Sequence, residues 1–360
     1  MGLYDNLRVI APYVPGEQPQ NKNVVKLNTN ENPYPPSSKV LEVKEAYNTD
    51  NLKLYPDPDI TKLSDELALY FSDKYGINLE RENIFVGVGS DDVLAVAFQT
   101  FFNSGRPILF PDVTYSFYDV WADLYKIDYE TIPLKDDFTI NPEDYNRECG
   151  GIVIANPNAP TTVELGTEAI EKILKDNSEV VVIVDEAYID FGGNSMISLL
   201  EKYENLVVVQ TYSKSRSMAG ARIGYALGGK RLIKAMEDVK FSINSYTLSN
   251  LQISMGVASL RDEEYFKESI NKIINTRENA KKRFKELGFS LPDSKTNFLF
   301  VTHEKLMAKD IFEYLKGEDI FVRYFKKPER ISNYLRVTIG TDEQMDALFA
   351  ALEKLIKNSQ

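Results

Sequence analysis

The segment Thr211-Tyr212-Ser213-Lys214-Ser215-Arg216-Ser217-Met218-Ala219-Gly220-Ala221-Arg222-Ile223-Gly224 directly follows the run Leu206-Val207-Val208-Val209-Gln210. That run is apolar and β-branched, and it reads as a buried strand. In open α/β sheets, ligands bind just beyond the carboxyl ends of the strands. Lys214 is therefore expected at a pocket floor, with Arg222 eight residues further on. An amine, hydroxyls and a guanidinium gathered there suit an imine to an aldehyde cofactor that also carries a phosphate.

Outward from this segment, short β-rich runs alternate with helical stretches. The runs are 84–88, 107–110, 151–155, 180–184, 206–209 and 223–227. Near-continuous apolar strands separated by helices predict a mostly parallel sheet covered on both faces. Upstream, helical patterns at about 38–48 and 60–75 flank the break Leu54-Tyr55-Pro56-Asp57-Pro58. Residues 1–36 read as an irregular arm rich in Pro and Asn, which must pack on another domain or a second subunit. Residues 37–245 are assigned to a large domain. A smaller α+β domain, 246–360, is expected to hold one long helical stretch near 246–287 and strands at 297–301, 320–323 and 335–339, with helices near 307–316 and 341–357.

The 360 residues suffice for such a two-part chain. A net charge of −12 argues against nucleic acid or an anionic membrane as partner, because phosphate surfaces need clustered Lys and Arg. The single cysteine, Cys149, excludes an internal disulfide and a cysteine metal cluster, and fits a reducing cytoplasm. Met1 to Pro12 shows no signal peptide, and no apolar run approaches a membrane span. The lone His303 removes multi-histidine metal sites and reads as an exposed strand end. Acid–base work then falls to lysine.

A free lysine has a pKa of about 10.4, and only a neutral amine attacks an aldehyde, so the site must supply roughly 4–5 kcal/mol toward neutrality. Taken singly, Lys214 reads equally as a solvated loop residue. Asp185, however, ends the apolar run 180–184, and a buried carboxylate there calls for a positive charge such as a pyridinium nitrogen. On its own it would cap the next helix. Gly87-Val88-Gly89-Ser90-Asp91 reads as strand, turn and helix start, a simple phosphate cup that lacks the third glycine of a dinucleotide site. Tyr115 follows the strand 107–110 and suits a flat ring or plain core. Asn158 follows 151–155 as a cofactor contact or a turn residue. Along 335–339, alternation puts Arg336 with Thr338 opposite Leu335, Val337 and Ile339, so Arg336 needs an anion.

Together these residues resemble the fold-type I, class I/II pyridoxal-phosphate aminotransferases, and within them the histidinol-phosphate aminotransferase branch. The resemblance runs in order from Asn30-Glu31-Asn32-Pro33 through Tyr55-Pro56, Gly89-Ser90-Asp91, Thr114-Tyr115, Asn158, Asp185-Glu186-Ala187-Tyr188, Ser213-Lys214 and Arg222 to Leu335-Arg336-Val337-Thr338-Ile339-Gly340-Thr341. It implies a three-layer large domain and pyridoxal 5'-phosphate as cofactor. Lys214 would join the cofactor aldehyde and shuttle the proton, Asp185 would pair with the pyridine nitrogen, Tyr188 with the ring hydroxyl, and Tyr115 would stack on the ring. Ser90, Asp91, Ser213 and Arg222 would surround the phosphate. Tyr55 would reach it from the other subunit of a homodimer. Tyr13, Asn30, Arg323 and Arg336 would bind substrate.

The implied reaction exchanges an amino group between L-glutamate/2-oxoglutarate and histidinol phosphate/imidazole acetol phosphate. Rival readings are an aromatic amino acid aminotransferase, a threonine-phosphate decarboxylase, and a catalytically silent regulator of the same fold. Four positions depart from the family pattern. Ala159 stands where Asn usually precedes Pro-Thr, so Asn158 is expected to take over that contact. Thr162 replaces a usual glycine, and Asp112-Val113 stands where prolines are common.

Overall fold

In the computed structural model, which describes residues 2–19 and 24–358, the apolar runs become the strands of one central sheet. The arm, whose residues 20–23 lie outside the described residues, carries β1 (Val25–Lys26). Next come α1 (Ser38–Ala46), α2 (Thr61–Tyr75), β2 (Ile84–Gly87), α3 (Ser90–Phe101), β3 (Ile108–Pro111), α4 (Tyr118–Tyr125) and β4 (Tyr129–Ile132). They lead into β5 (Gly151–Ala155), α5 (Thr167–Asp176), β6 (Val182–Asp185), β7 (Leu206–Thr211), β8 (Gly224–Gly228), α6 (Lys230–Ile243) and α7 (Asn250–Leu260). The remainder is α8 (Glu263–Glu286), β9 (Phe289–Ser290), β10 (Phe298–His303), α9 (Ala308–Gly317), β11 (Ile320–Phe321), β12 (Arg323–Tyr324), β13 (Leu335–Thr338) and α10 (Asp342–Asn358).

The seven-stranded sheet has the order β2-β8-β7-β6-β5-β3-β4, parallel except where β8 runs against both neighbours. Its unbroken apolar strands follow from burial on both faces. Phe85, Val153, Ile183, Val207 and Val209 pack with Val93 of α3, Trp121 of α4 and Ile233 of α6. Their neighbours Val86, Ile152, Ile154, Val184 and Val208 turn the other way, onto Leu67 and Phe71 of α2, Ile173 of α5 and Ile253 of α7. Helices on both faces make the three-layer α/β fold that the pattern predicts.

A second core lies around the antiparallel sheet β12-β13-β10-β9, where Leu299, Val301, Leu335 and Val337 meet Phe284 of α8, Leu315 of α9 and Phe349 of α10. The arm, expected to be irregular, contributes to this core. Its β1 pairs in parallel with β11, and Leu27 is fully buried. The helical stretch expected at 246–287 breaks at Arg261-Asp262. Leu260 closes the packing of α7 in the first core and Phe266 opens that of α8 in the second, so the chain must bend between them. Strand β4 went unread because it is an edge, with Tyr129, Glu130 and Thr131 at least partly exposed, and lacks an apolar run.

His303 corrects an expectation. It is 7% exposed; its Nε2 lies 3.0 Å from the Leu287 carbonyl, and its Nδ1 accepts from the amides of Lys305 and Leu306. The ring closes the turn after β10, which is why a polar residue is buried there.

Thr162 holds the left-handed conformation (φ +72°) while fully buried, and its hydroxyl has no partner among the described residues. A β-branched residue is strained there by about 1–2 kcal/mol. Thr162→Gly is therefore expected to raise stability by about 1 kcal/mol, read as a higher urea midpoint at unchanged slope.

Candidate active site

The carboxyl ends of β5, β6 and β7 and the start of α3 open onto a cavity of roughly 410 Å³, closed on its far side by the arm, β12 and β13. Small-molecule sites commonly span about 300–1,000 Å³. Around it stand Lys214, Asp185, Tyr188, Ser90, Asp91 and Tyr115, together with Ser213, Arg222, Tyr13, Asn30, Arg323 and Arg336. These were all singled out from the sequence.

The phosphate cup is built by close approach of two strands. Gly87 of β2 pairs with Gly224 of β8, and a Cβ on Gly224 would lie 2.3 Å from the Ser90 nitrogen. Gly89 sits at φ +81°, and a Cβ there would meet Arg222 Nη2 at 2.5 Å. Glycine at both points lets the guanidinium lie against the first turn of α3. That turn has no side-chain cap, so its leading amides and the positive helix end face the cavity. An acid in such a cup would oppose an anion, but Asp91 is already engaged. Its Oδ1 accepts from the Tyr115 hydroxyl at 2.8 Å and its Oδ2 pairs with Arg222 at 3.3 Å. Burial first, and the Asp91 carboxylate second, push the Tyr115 phenol well above its ordinary range.

Asp185 ends β6, is 5% exposed, and accepts from the Tyr118 hydroxyl at 2.8 Å and the Ala187 amide at 3.2 Å. Burial pushes its carboxyl up to about 6. Tyr118 is the residue sequence reading missed. Its signal was its place three residues after Tyr115, at the start of α4; the turn between them, closed by the Tyr118 amide on the Tyr115 carbonyl, sets the two rings edge to face at 5.7 Å. Lys214 Nζ reaches only the Thr29 carbonyl, at 3.5 Å, among the described residues, and lies 5.9 Å from the Tyr188 ring centre.

Glu186 faces the opposite side of the sheet, 1% exposed. It accepts from Ser195 Oγ and the Met196 amide, both at 2.6 Å, and from Gln210 Nε2 at 2.7 Å. With no ion-pair partner among the described residues, it is raised to about 7 by burial. An acid raised in the folded state binds more protons folded than unfolded, so its contribution to stability is full below the unfolded pKa and is lost as pH rises through the folded one. Stability should thus decline between about pH 4.5 and 7, by up to about 3 kcal/mol from Glu186. Urea unfolding across that range should give a flatter decline for Glu186→Gln than for the parent.

At the other end, Arg323 of β12 and Arg336 of β13 face each other across the strand pair. Like charges so placed repel unless an anion lies between them. Arg336 Nη2 donates to the Asn28 carbonyl at 2.9 Å, while its buried Nε has no partner among the described residues; burial, ahead of the Arg323 charge, lowers its pKa. Arg323 Nη2 reaches the Val14 carbonyl at 3.4 Å. Tyr13 stacks on Phe117 at 4.2 Å beside them.

Two residues are not brought to the cavity. Tyr55 is 80% exposed and stacks on Tyr246 at 4.5 Å. Asn158 lies behind the wall made by Pro157 and Ala159. Its Nδ2 donates to the Val113 carbonyl and Thr161 Oγ1, and its Oδ1 accepts from Thr114 Oγ1, each at 2.8 Å. With its amide engaged in holding the wall, it is not aimed at a ring in the cavity.

A lysine and a carboxylate at neighbouring strand ends, with an anion cup on one side and paired arginines on the other, define a site for moving an amino group on an anionic substrate. Residues 22–352 match the family of class I and II aminotransferases, and the chain belongs to that family. It is 49% identical to the histidinol-phosphate aminotransferase of Brachyspira hyodysenteriae over 99% of both chains. It is also 49% identical to that of Lactococcus lactis subsp. cremoris, over 100% of this chain and 99% of the relative. The crystal structure of the histidinol-phosphate aminotransferase from Sinorhizobium meliloti, in complex with pyridoxal-5'-phosphate, superposes with a TM-score of 0.83 at 25% identity, covering 94% of this chain and 92% of that one. No helix among the described residues is long and apolar enough to cross a membrane.

Proposed function

We propose that this chain transfers an amino group between L-histidinol phosphate and 2-oxoglutarate, giving imidazole acetol phosphate and L-glutamate in histidine biosynthesis. It would do so with pyridoxal 5'-phosphate, in the cytoplasm, as a homodimer in which Tyr55 of the partner subunit completes the phosphate site. The observation that carries the substrate reading is the facing pair Arg323 and Arg336, which no acidic side chain neutralises among the described residues. A planar guanidinium takes phosphate and carboxylate in the same two-point geometry, as two alternating substrates require.

The cavity fits the cofactor. Ser90, Ser213, Arg222 and the leading amides of α3 would hold its phosphate, and Asp91 would keep Arg222 and Tyr115 in place. The buried Asp185, which makes no ion pair among the described residues, would hold the ring nitrogen protonated. Tyr115 would stack on the ring and Tyr188 would pair with its hydroxyl, while Tyr13 and Asn30 would close the substrate end. When bound, the cofactor supplies an aldehyde for the amino group and a ring that accepts electrons from the substrate carbon. Lys214 would carry the proton to and from that carbon, being the one amine that lines the cavity among the described residues.

The test is single-turnover conversion of histidinol phosphate, phenylalanine and threonine phosphate at equal concentration. Histidinol phosphate should react at least about ten-fold faster than either, since a site built for its groups rejects analogues lacking them. No preference among the three would defeat the substrate assignment.

A further inference from the structure

Asn30 sits in the arm between the two sheets, 1% exposed and in the left-handed region at φ +56°. Every polar group it carries is engaged. Its amide donates to Thr338 Oγ1 at 3.0 Å, and its carbonyl accepts from Asn297 Nδ2 at 3.0 Å. Its side-chain oxygen accepts from Thr338 Oγ1 at 3.1 Å, and its Nδ2 donates to the Tyr188 hydroxyl at 3.0 Å. Thr338 is 3% exposed and stands two residues along β13 from Arg336.

The direction of these bonds follows from what each group can do. Thr338 Oγ1 receives the Asn30 amide proton, so its own proton is free to go to Asn30 Oδ1. That fixes which end of the Asn30 amide faces β13 and turns Nδ2 toward Tyr188. The Tyr188 oxygen accepts there, and Asn30 is its only hydrogen-bond partner among the described residues. Its hydroxyl proton is left for the cavity. Without the Thr338 hydroxyl, the amide is free to turn over and present Oδ1 to Tyr188. The tyrosine would then donate to Asn30 and offer the cavity only a lone pair.

We propose that Thr338 is a positioning residue: through Asn30 it holds Tyr188 as a hydrogen-bond donor toward the cavity. The strand that carries Arg336 thereby also sets the polarity of the group facing the cofactor ring. This rests on the reading of the cavity as a pyridoxal-phosphate site, where the recipient is the ring hydroxyl oxygen in its ionised form. A hydrogen bond to the ionised form favours it, so losing that bond delays loss of the proton to higher pH.

The test is a pH titration of the visible absorbance that the protein gains with pyridoxal phosphate. In Thr338→Val, which keeps the shape and removes the hydroxyl, the midpoint should rise by at least about half a pH unit, and Thr338→Ser should restore the parent value. Asn30→Asp removes the donor while keeping Thr338 and should move the midpoint in the same direction. Simple loosening of the fold would lower thermal stability without separating Ser from Val in the titration. Equal midpoints in the parent and Thr338→Val, with the absorbance still gained, would overturn the relay alone. A parent protein that gains no absorbance would overturn the cofactor reading and the relay with it.

Discussion

Lys214→Ala is expected to leave a folded protein whose turnover falls by about 10^4-fold or more, because it removes both the covalent amine and the proton carrier. Little of the fold depends on this side chain. Among the described residues its Nζ has one hydrogen-bond partner, the Thr29 carbonyl at 3.5 Å. The loop around it is held by other groups. Asn32 Nδ2 donates to the carbonyls of Lys214 and Ser215 at 3.2 and 3.3 Å, Ser215 Oγ donates to Asp190 at 2.7 Å, and Arg216 Nη1 donates to the Ser259 carbonyl at 2.7 Å. The thermal midpoint should therefore move little while activity vanishes. A variant turning over within ten-fold of the parent would remove Lys214 from the proton path.

Arg336→Met is expected to lower kcat/KM by about 10²–10³-fold for both substrates, the worth of a two-point charge-assisted contact of roughly 3–4 kcal/mol. The loss should appear mainly as a higher KM, because the anion it holds takes no part in the bonds made or broken and is bound alike in ground and transition states. Stability should hold or rise, since the substitution removes an enclosed guanidinium whose Nε has no partner among the described residues and whose cross-strand neighbour is Arg323. Steady-state kinetics beside thermal unfolding separates the two effects. An unchanged KM for histidinol phosphate and glutamate alike would take Arg336 out of the anion site.

The sheet was legible because burial on both faces leaves an unbroken apolar run, and each such run became a strand. The cavity floor was legible for a related reason: polar residues directly after those runs, as at Asp185 and Lys214, must lie at strand ends. What sequence could not show was contact at long separation. Asn30 and Thr338, or Tyr118 and Asp185, meet only once the chain has folded, and no local period marks them. The bend at Arg261-Asp262 was hidden because both halves of that stretch are helical and only the change of core turns the chain. Asn158 shows the limit of reading a turn by composition: the same amide that could reach a ligand is engaged instead by Val113, Thr114 and Thr161. Thr162 holds a left-handed backbone that favours glycine, which no reading of its side chain foretells.

The most direct measurement is borohydride reduction of the protein with pyridoxal phosphate, followed by mass mapping of its peptides. The account predicts one reduced adduct per chain, on the peptide containing Lys214, with loss of the visible absorbance and of activity together. No adduct, or adducts spread over the surface lysines with Lys214 unmodified, would contradict it.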